Sequence, residues 1–228
     1  MTQDQSVGVL SQEREHRSRL REIQIVAVFF LLLLGLDAFR VLVVLPWEAR
    51  LPDALATVVE VVVKGSIFVG LTLLCVAYVE KPKEGIWGFL KLNQNVGKGV
   101  VVGLAGSLLL VLVFLVFAPK PVGAHSLNGF FQVVLAGVIE EVAFRGYLLR
   151  KFQSWMDYNA AILLTSVLFV CIHLPLWLSM GNGVKVLLIN AAAIFALSIL
   201  LGLAVRLSNS LWASILIHTA NNLIQLFL

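Results

Sequence analysis

Polar and apolar residues fall along this chain in long blocks. After a polar and charged opening, residues 1–22, seven apolar runs follow at about 23–45, 54–79, 97–118, 127–149, 158–178, 184–205 and 210–228. Each has the ~18 residues or more that a helix needs to cross the hydrocarbon core of a bilayer. The breaks carry turn and helix-stop chemistry: Pro46 and Pro52, Lys81-Pro82-Lys83-Glu84-Gly85, Pro119 and Pro121, Gly181-Asn182-Gly183, and Ser208-Asn209-Ser210. The pattern predicts an all-α, polytopic membrane helix bundle, with 1–22 as a polar N-terminus and 23–228 as a single membrane domain. Gly103, Ala105, Gly106 and the run Ala191-Ala192-Ala193 are expected to let helices approach closely. Between the second and third runs, Ile86 to Leu92 places Trp87 and Phe89 beside lysines and can form either a short interfacial helix or a solvated loop.

Composition agrees with a membrane class. The chain is 60% hydrophobic and 13% charged, with mean hydropathy +0.96, whereas a soluble domain carries roughly 25% charged residues. The excess of 17 Lys and Arg over 13 Asp and Glu lies mostly in the N-terminus and one loop. That distribution points to membrane orientation and not to nucleic-acid binding. Arg14, Arg17, Arg19, Arg21, Lys81, Lys83, Lys91, Lys98, Arg150, Lys151 and Arg206 fall on one side of the predicted topology, and Arg50, Lys120 and Lys185 on the other. The N-terminus is therefore expected in the cytoplasm, with a prokaryotic cell membrane as the expected location. Cys75 and Cys171 lie in apolar runs and offer no disulfide framework or metal spacing. No cleavable signal peptide is expected in the polar opening.

The chemistry is concentrated in polar residues inside the runs. A charge at bilayer depth is costly unless it is paired or faces a wet cavity, so it marks a functional candidate. The fourth run carries Glu140, Glu141 and Arg145, the fifth His173, four residues after Phe169, and the seventh His218 and Asn222. Glu141 and Arg145 stand at i and i+4 and can pair. Glu140 is rotated ~100° away with no partner in its own helix, so Glu140→Gln is expected to abolish activity while stability holds or rises. Counted from the helix ends at ~1.5 Å per residue, Glu140 lies about 15 Å deep, His173 about 22 Å and His218 about 12 Å, depths at which the three can meet. Asp37 with Arg40 and Glu60 with Lys64 also stand at helical spacing and are expected to be structural pairs.

These groups permit peptide or amide hydrolysis. A buried carboxylate can act as general base and acid, an imidazole can hold the water or shuttle its proton, and an amide with a second imidazole can donate to an oxyanion. Neither Gly-x-Ser-x-Gly nor His-Glu-x-x-His occurs, which leaves serine hydrolase and ordinary zincin readings unsupported.

Glu140-Glu141-Val-Ala-Phe-Arg145, Phe169-Val-Cys-Ile-His173 and His218-Thr-Ala-Asn-Asn222 resemble, in order, the three hallmark motifs of the CPBP family of intramembrane proteases, also called the CAAX protease or Abi family. The resemblance covers about 125–222. It implies a metal-independent glutamate endopeptidase without cofactor, in which Glu140 activates water with His173, Glu141 and Arg145 support them, and His218 and Asn222 lie near the oxyanion. The implied partners are the bilayer and a peptide or lipidated protein presented within it, prenylated or not, since the family both removes the tripeptide after a prenylated cysteine and, in bacterial members, serves processing or immunity functions. CAAX-processing members have about eight membrane helices, so the resemblance implies seven or eight here. Two alternatives stay open: a zinc-dependent protease with Glu140, His173 and His218 as ligands, and a non-catalytic immunity or transport protein. No inverted repeat supports transport.

Overall fold

The computed structural model describes residues 3–117 and 127–227, and every regular element among them is helical. Seven long helices stand where the apolar runs lie: α1 (residues 3–48), α2 (Asp53–Glu80), α4 (Val96–Phe117), α5 (residues 127–153), α6 (Tyr158–Ser179), α7 (Val184–Ser208) and α8 (Leu211–Phe227). A one-turn helix, α3 (Gly85–Phe89), fills the loop before α4. It exposes Trp87 and buries Phe89, with Leu90 buried just past its end, so this stretch is a short helix and not an irregular loop. Five helices are long and apolar enough to cross a membrane: His16–Glu48, Asp53–Glu80, Val96–Val116, Tyr158–Ser179 and Val184–Ser208. With the bundle architecture, this makes the chain an integral membrane protein.

The other two expected spans, α5 and α8, form as helices too, but their described residues do not qualify on length and composition alone. Position explains this. In α5, every residue from Ile139 to Leu149 is buried, packed among α1, α2, α3, α6 and α8. A helix enclosed by other helices need not be apolar all round, so α5 can carry three charges where a lipid-facing helix could not.

Close approach of α4 and α5 to α8 depends on glycine. A Cβ on Gly99, Gly103 or Gly106 would come within 2.5–2.8 Å of atoms of Ser210, Leu216 or Ile217, and one on Gly137 would reach within 2.6 Å of Thr219 Oγ1. Gly103 and Gly106 thus act as the sequence suggests. Ala105, Ala192 and Ala193 instead face outward, exposed on the outer surface. Ser107 reinforces the α4–α8 seam by donating to the Gly103 and Leu216 carbonyls.

The ends of α2 and α5 meet α1 near Glu22. Lys151 pairs with Glu80 at 3.0 Å and Glu22 at 3.6 Å, Trp155 Nε1 donates to Glu22, and Arg150 pairs with Glu84. α6 starts on Asp157, which accepts from the amides of Asn159 and Ala160. α7 ends at Asn209, in the left-handed region at φ 52°. Wide π-helical turns interrupt α1 at Arg40–Val44, α2 at Ser66–Gly70 and Cys75–Glu80, and α5 at Val142–Leu148. Such turns are rare and recur at functional sites; the first, second and fourth lie at or beside Arg40, Lys64 and Arg145.

Candidate active site

Glu141 and Arg145 form the expected i, i+4 pair, with Nη1 2.7 Å from Oε1 and both side chains at most 1% exposed. The other arm of the guanidinium donates to the backbone carbonyl of Ser198 at 3.1 Å and to Ser198 Oγ at 2.7 Å, tying α5 to α7. The guanidinium also lies 4.5 Å from the ring centroid of Phe169, a favourable contact in a desolvated site. Every direction from Arg145 is occupied by protein.

The same Oε1 of Glu141 stands 2.9 Å from His218 Nδ1 on α8. A carboxylate paired with arginine can only accept, so Nδ1 carries the proton and donates. On α6, His173 Nδ1 is 2.7 Å from the carbonyl of Phe169 one turn earlier, and a carbonyl likewise can only accept. Both imidazoles therefore turn Nε2 in the same direction, toward Glu140 on α5. Each Nε2 lies 3.9 Å from Glu140 Oε2. That separation is too long for a direct hydrogen bond and suits one shared water. Glu140 Oε2 is buried and has no hydrogen-bond partner among the described residues. The Phe169 ring packs edge-on against both histidines and against Phe144, and Trp177 lies beside His173. Pro175, two residues past His173, removes a backbone donor from α6 near the site.

Two expectations need correction. Glu140 is not free of partners: Lys64 Nζ, from α2, lies 2.6 Å from its Oε1. Glu60 and Lys64, four residues apart, do not pair, because Glu60 is held by Arg40 Nη1 at 2.7 Å, while Arg40 Nε holds Asp37 at 2.8 Å, the expected pair. The signal for these contacts is in the sequence, since Arg40 and Lys64 are charges inside apolar runs. Helical spacing ranks only partners on the same helix, so it cannot find one across the bundle. Ser198 gives no signal of that kind.

Among the described residues Asn222 makes no hydrogen bond to Glu140, His173 or His218. Its Nδ2 donates to the carbonyl of Val133 at 3.2 Å. With Glu60, Lys64 and Gln132 it lines a cavity of about 170 Å³. A second cavity, about 90 Å³, is bounded by Asp37, Arg40, Lys64, Glu140 and His173. Lys64 is the residue with a charge common to both.

As to metals, no group of three or more His, Cys, Asp or Glu side chains among the described residues is placed to hold an ion. The ammonium of Lys64 beside Glu140 also opposes a dication at this point.

A family model described as Rce1-like, type II CAAX prenyl endopeptidase Rce1-like, matches residues 106–224, just over half of the chain. The match runs from α4 to α8 and includes every residue of the cluster except Lys64. No curated protein and no solved structure matches.

Proposed function

We propose, for a chain that belongs to the Rce1-like family of type II CAAX prenyl endopeptidases, a metal-independent intramembrane peptidase in which Glu140 is the general base. The observation that carries this reading is the convergence of Glu140 Oε2 with the Nε2 atoms of His173 and His218, 3.9 Å from each. A water held there lies against a carboxylate that can take its proton and an imidazole that orients it. His173, fixed by the Phe169 carbonyl, presents a lone pair to the water. His218 is oriented by Glu141 through Nδ1, and when it carries a proton on Nε2 as well it donates to the oxyanion of the tetrahedral intermediate. Arg145 acts through Glu141, as a positioning residue. Asn222, engaged with Val133, has no part in this scheme. The substrate is a peptide presented from the bilayer, prenylated on the cysteine before the scissile bond. We place the N-terminus in the cytoplasm, on the strength of eleven Lys and Arg on that side of the topology against three on the other.

The purified protein in detergent should release a C-terminal tripeptide from a farnesylated peptide, seen by mass spectrometry, with or without strong chelators. The zinc-dependent alternative, whose candidate ligands Glu140, His173 and His218 are not placed here to hold an ion, predicts instead stoichiometric zinc and chelator-sensitive cleavage. Absence of any Glu140-dependent cleavage of membrane-presented peptides would overturn both.

A further inference from the structure

Lys64 lies outside the family match, on α2, yet its ammonium is the nearest charge to the proposed base. We propose that Lys64 is a further catalytic residue: counter-ion to Glu140 in the resting enzyme, and the cation that meets the oxyanion once Glu140 is protonated. This rests on the peptidase reading above.

Three observations carry it. First, Lys64 binds Oε1 of Glu140, while Oε2 faces the two histidines, so the ion pair leaves the oxygen that takes the proton free. Second, the local competitor for Lys64 is engaged elsewhere: Glu60, one turn earlier, takes Arg40, itself anchored on Asp37, on its Oε1, and its Oε2 makes no hydrogen bond among the described residues. The Asp37–Arg40–Glu60 chain thus leaves Lys64 to cross to α5. Third, Lys64 borders both polar cavities, on a flexible four-carbon stem. Asn222, the other candidate oxyanion donor, is engaged with a backbone carbonyl instead.

The charge balance of the reaction calls for a group so placed. Water attacks the scissile carbonyl carbon; one O–H bond breaks, its proton passes to Glu140 Oε2, and the carbonyl π pair becomes the oxyanion. The negative charge has moved from Glu140 to the substrate. At bilayer depth an unaccompanied charge is expensive, and the ammonium, no longer held by a carboxylate, donates to the oxyanion beside it. On collapse the C–N bond breaks, the leaving nitrogen takes the proton from Glu140, and the regenerated carboxylate recovers Lys64.

Two measurements test this. In turnover of a farnesylated peptide, Lys64→Ala should lose about 100-fold or more in kcat, the scale for one oxyanion donor, with KM within about threefold. Lys64→Arg should retain part of the rate, and added propylammonium should restore part of it to Lys64→Ala. Lys64→Met, which fills the same volume, serves if the alanine variant does not fold. The second measurement needs no turnover. A phosphonate analogue of the peptide, carrying a tetrahedral oxyanion, should bind Glu140→Gln at least about tenfold more tightly than Glu140→Gln/Lys64→Ala, whereas the uncleaved amide should bind both alike. Equal phosphonate affinity for the two, or a Lys64→Ala kcat within threefold of wild type, overturns the proposal. If wild type shows no Glu140-dependent cleavage, the peptidase reading fails; if it does and both Lys64 measurements are flat, this inference alone fails.

Discussion

Replacing Arg145 by alanine removes a buried guanidinium engaged with Glu141, with both the carbonyl and the hydroxyl of Ser198, and with the face of Phe169. Single hydrogen bonds between membrane helices average about 0.6 kcal/mol, so the Ser198 contacts are the smaller part. The larger is the stranded Glu141 carboxylate, which no solvent reaches. Removing one partner of a buried pair costs about 3–5 kcal/mol. His218 stays hydrogen-bonded to Glu141 and offsets some of this, which favours the lower end, about 3 kcal/mol. For a chain of this size, that corresponds to a fall in Tm of about 6–12 °C, readable by thermal melting in detergent. Arg145→Met with Glu141→Gln, which leaves neither charge, should recover at least half of the loss, a coupling that a double-mutant cycle measures. An Arg145→Ala protein melting within about 2 °C of wild type would refute the reasoning and move Arg145 into direct contact with substrate. Glu140→Gln gives the contrast. Because Lys64 pairs with Glu140, the unchanged or raised stability expected from sequence is replaced by a small loss, about 1–2 kcal/mol, since Lys64 borders cavities that can hold water.

Asn222→Ala should cost about 1 kcal/mol of stability through the lost bond to Val133 and leave turnover within about tenfold, whereas His218→Ala should lose at least 100-fold; equal losses in a rate assay would return Asn222 to the oxyanion. Gly137→Leu should lower both Tm and kcat, because a side chain there meets Thr219 one residue past His218 and pushes α8 from α5; unchanged melting and turnover would show that the approach is not needed. Arg40→Ala should slow turnover by about tenfold while leaving KM unchanged, because Glu60 is then free to draw Lys64 away from Glu140; Glu60→Gln in the same chain should restore part of the rate.

The helices were legible because bilayer length imposes a simple rule on apolar runs, and each of the seven long helices overlaps its predicted span. The interior of the bundle was less so. Whether a helix faces lipid or protein does not follow from its hydropathy, as the outward Ala105 and enclosed α5 illustrate. At the site, contacts within one helix were readable from spacing: Glu141 with Arg145, Asp37 with Arg40, and Phe169 with His173. Contacts between helices were not. Lys64–Glu140, Arg40–Glu60, Arg145–Ser198 and His218–Glu141 depend on how helices are arranged around α5, for which spacing has no term. The motifs indicated which side chains share a depth, and the fold determined which atom of Glu140 faces the histidines and which faces Lys64.

The central claim is that Glu140 and His173 activate water together. Single-turnover cleavage of a farnesylated peptide by wild type, Glu140→Gln, His173→Ala and the double variant, each first matched for folding by its melting curve, tests it most directly. The account predicts losses of at least 100-fold for each single variant and little further loss in the double, as for groups that act as a unit. Glu140→Gln cleaving within tenfold of wild type, or single losses that multiply in the double variant, would contradict it.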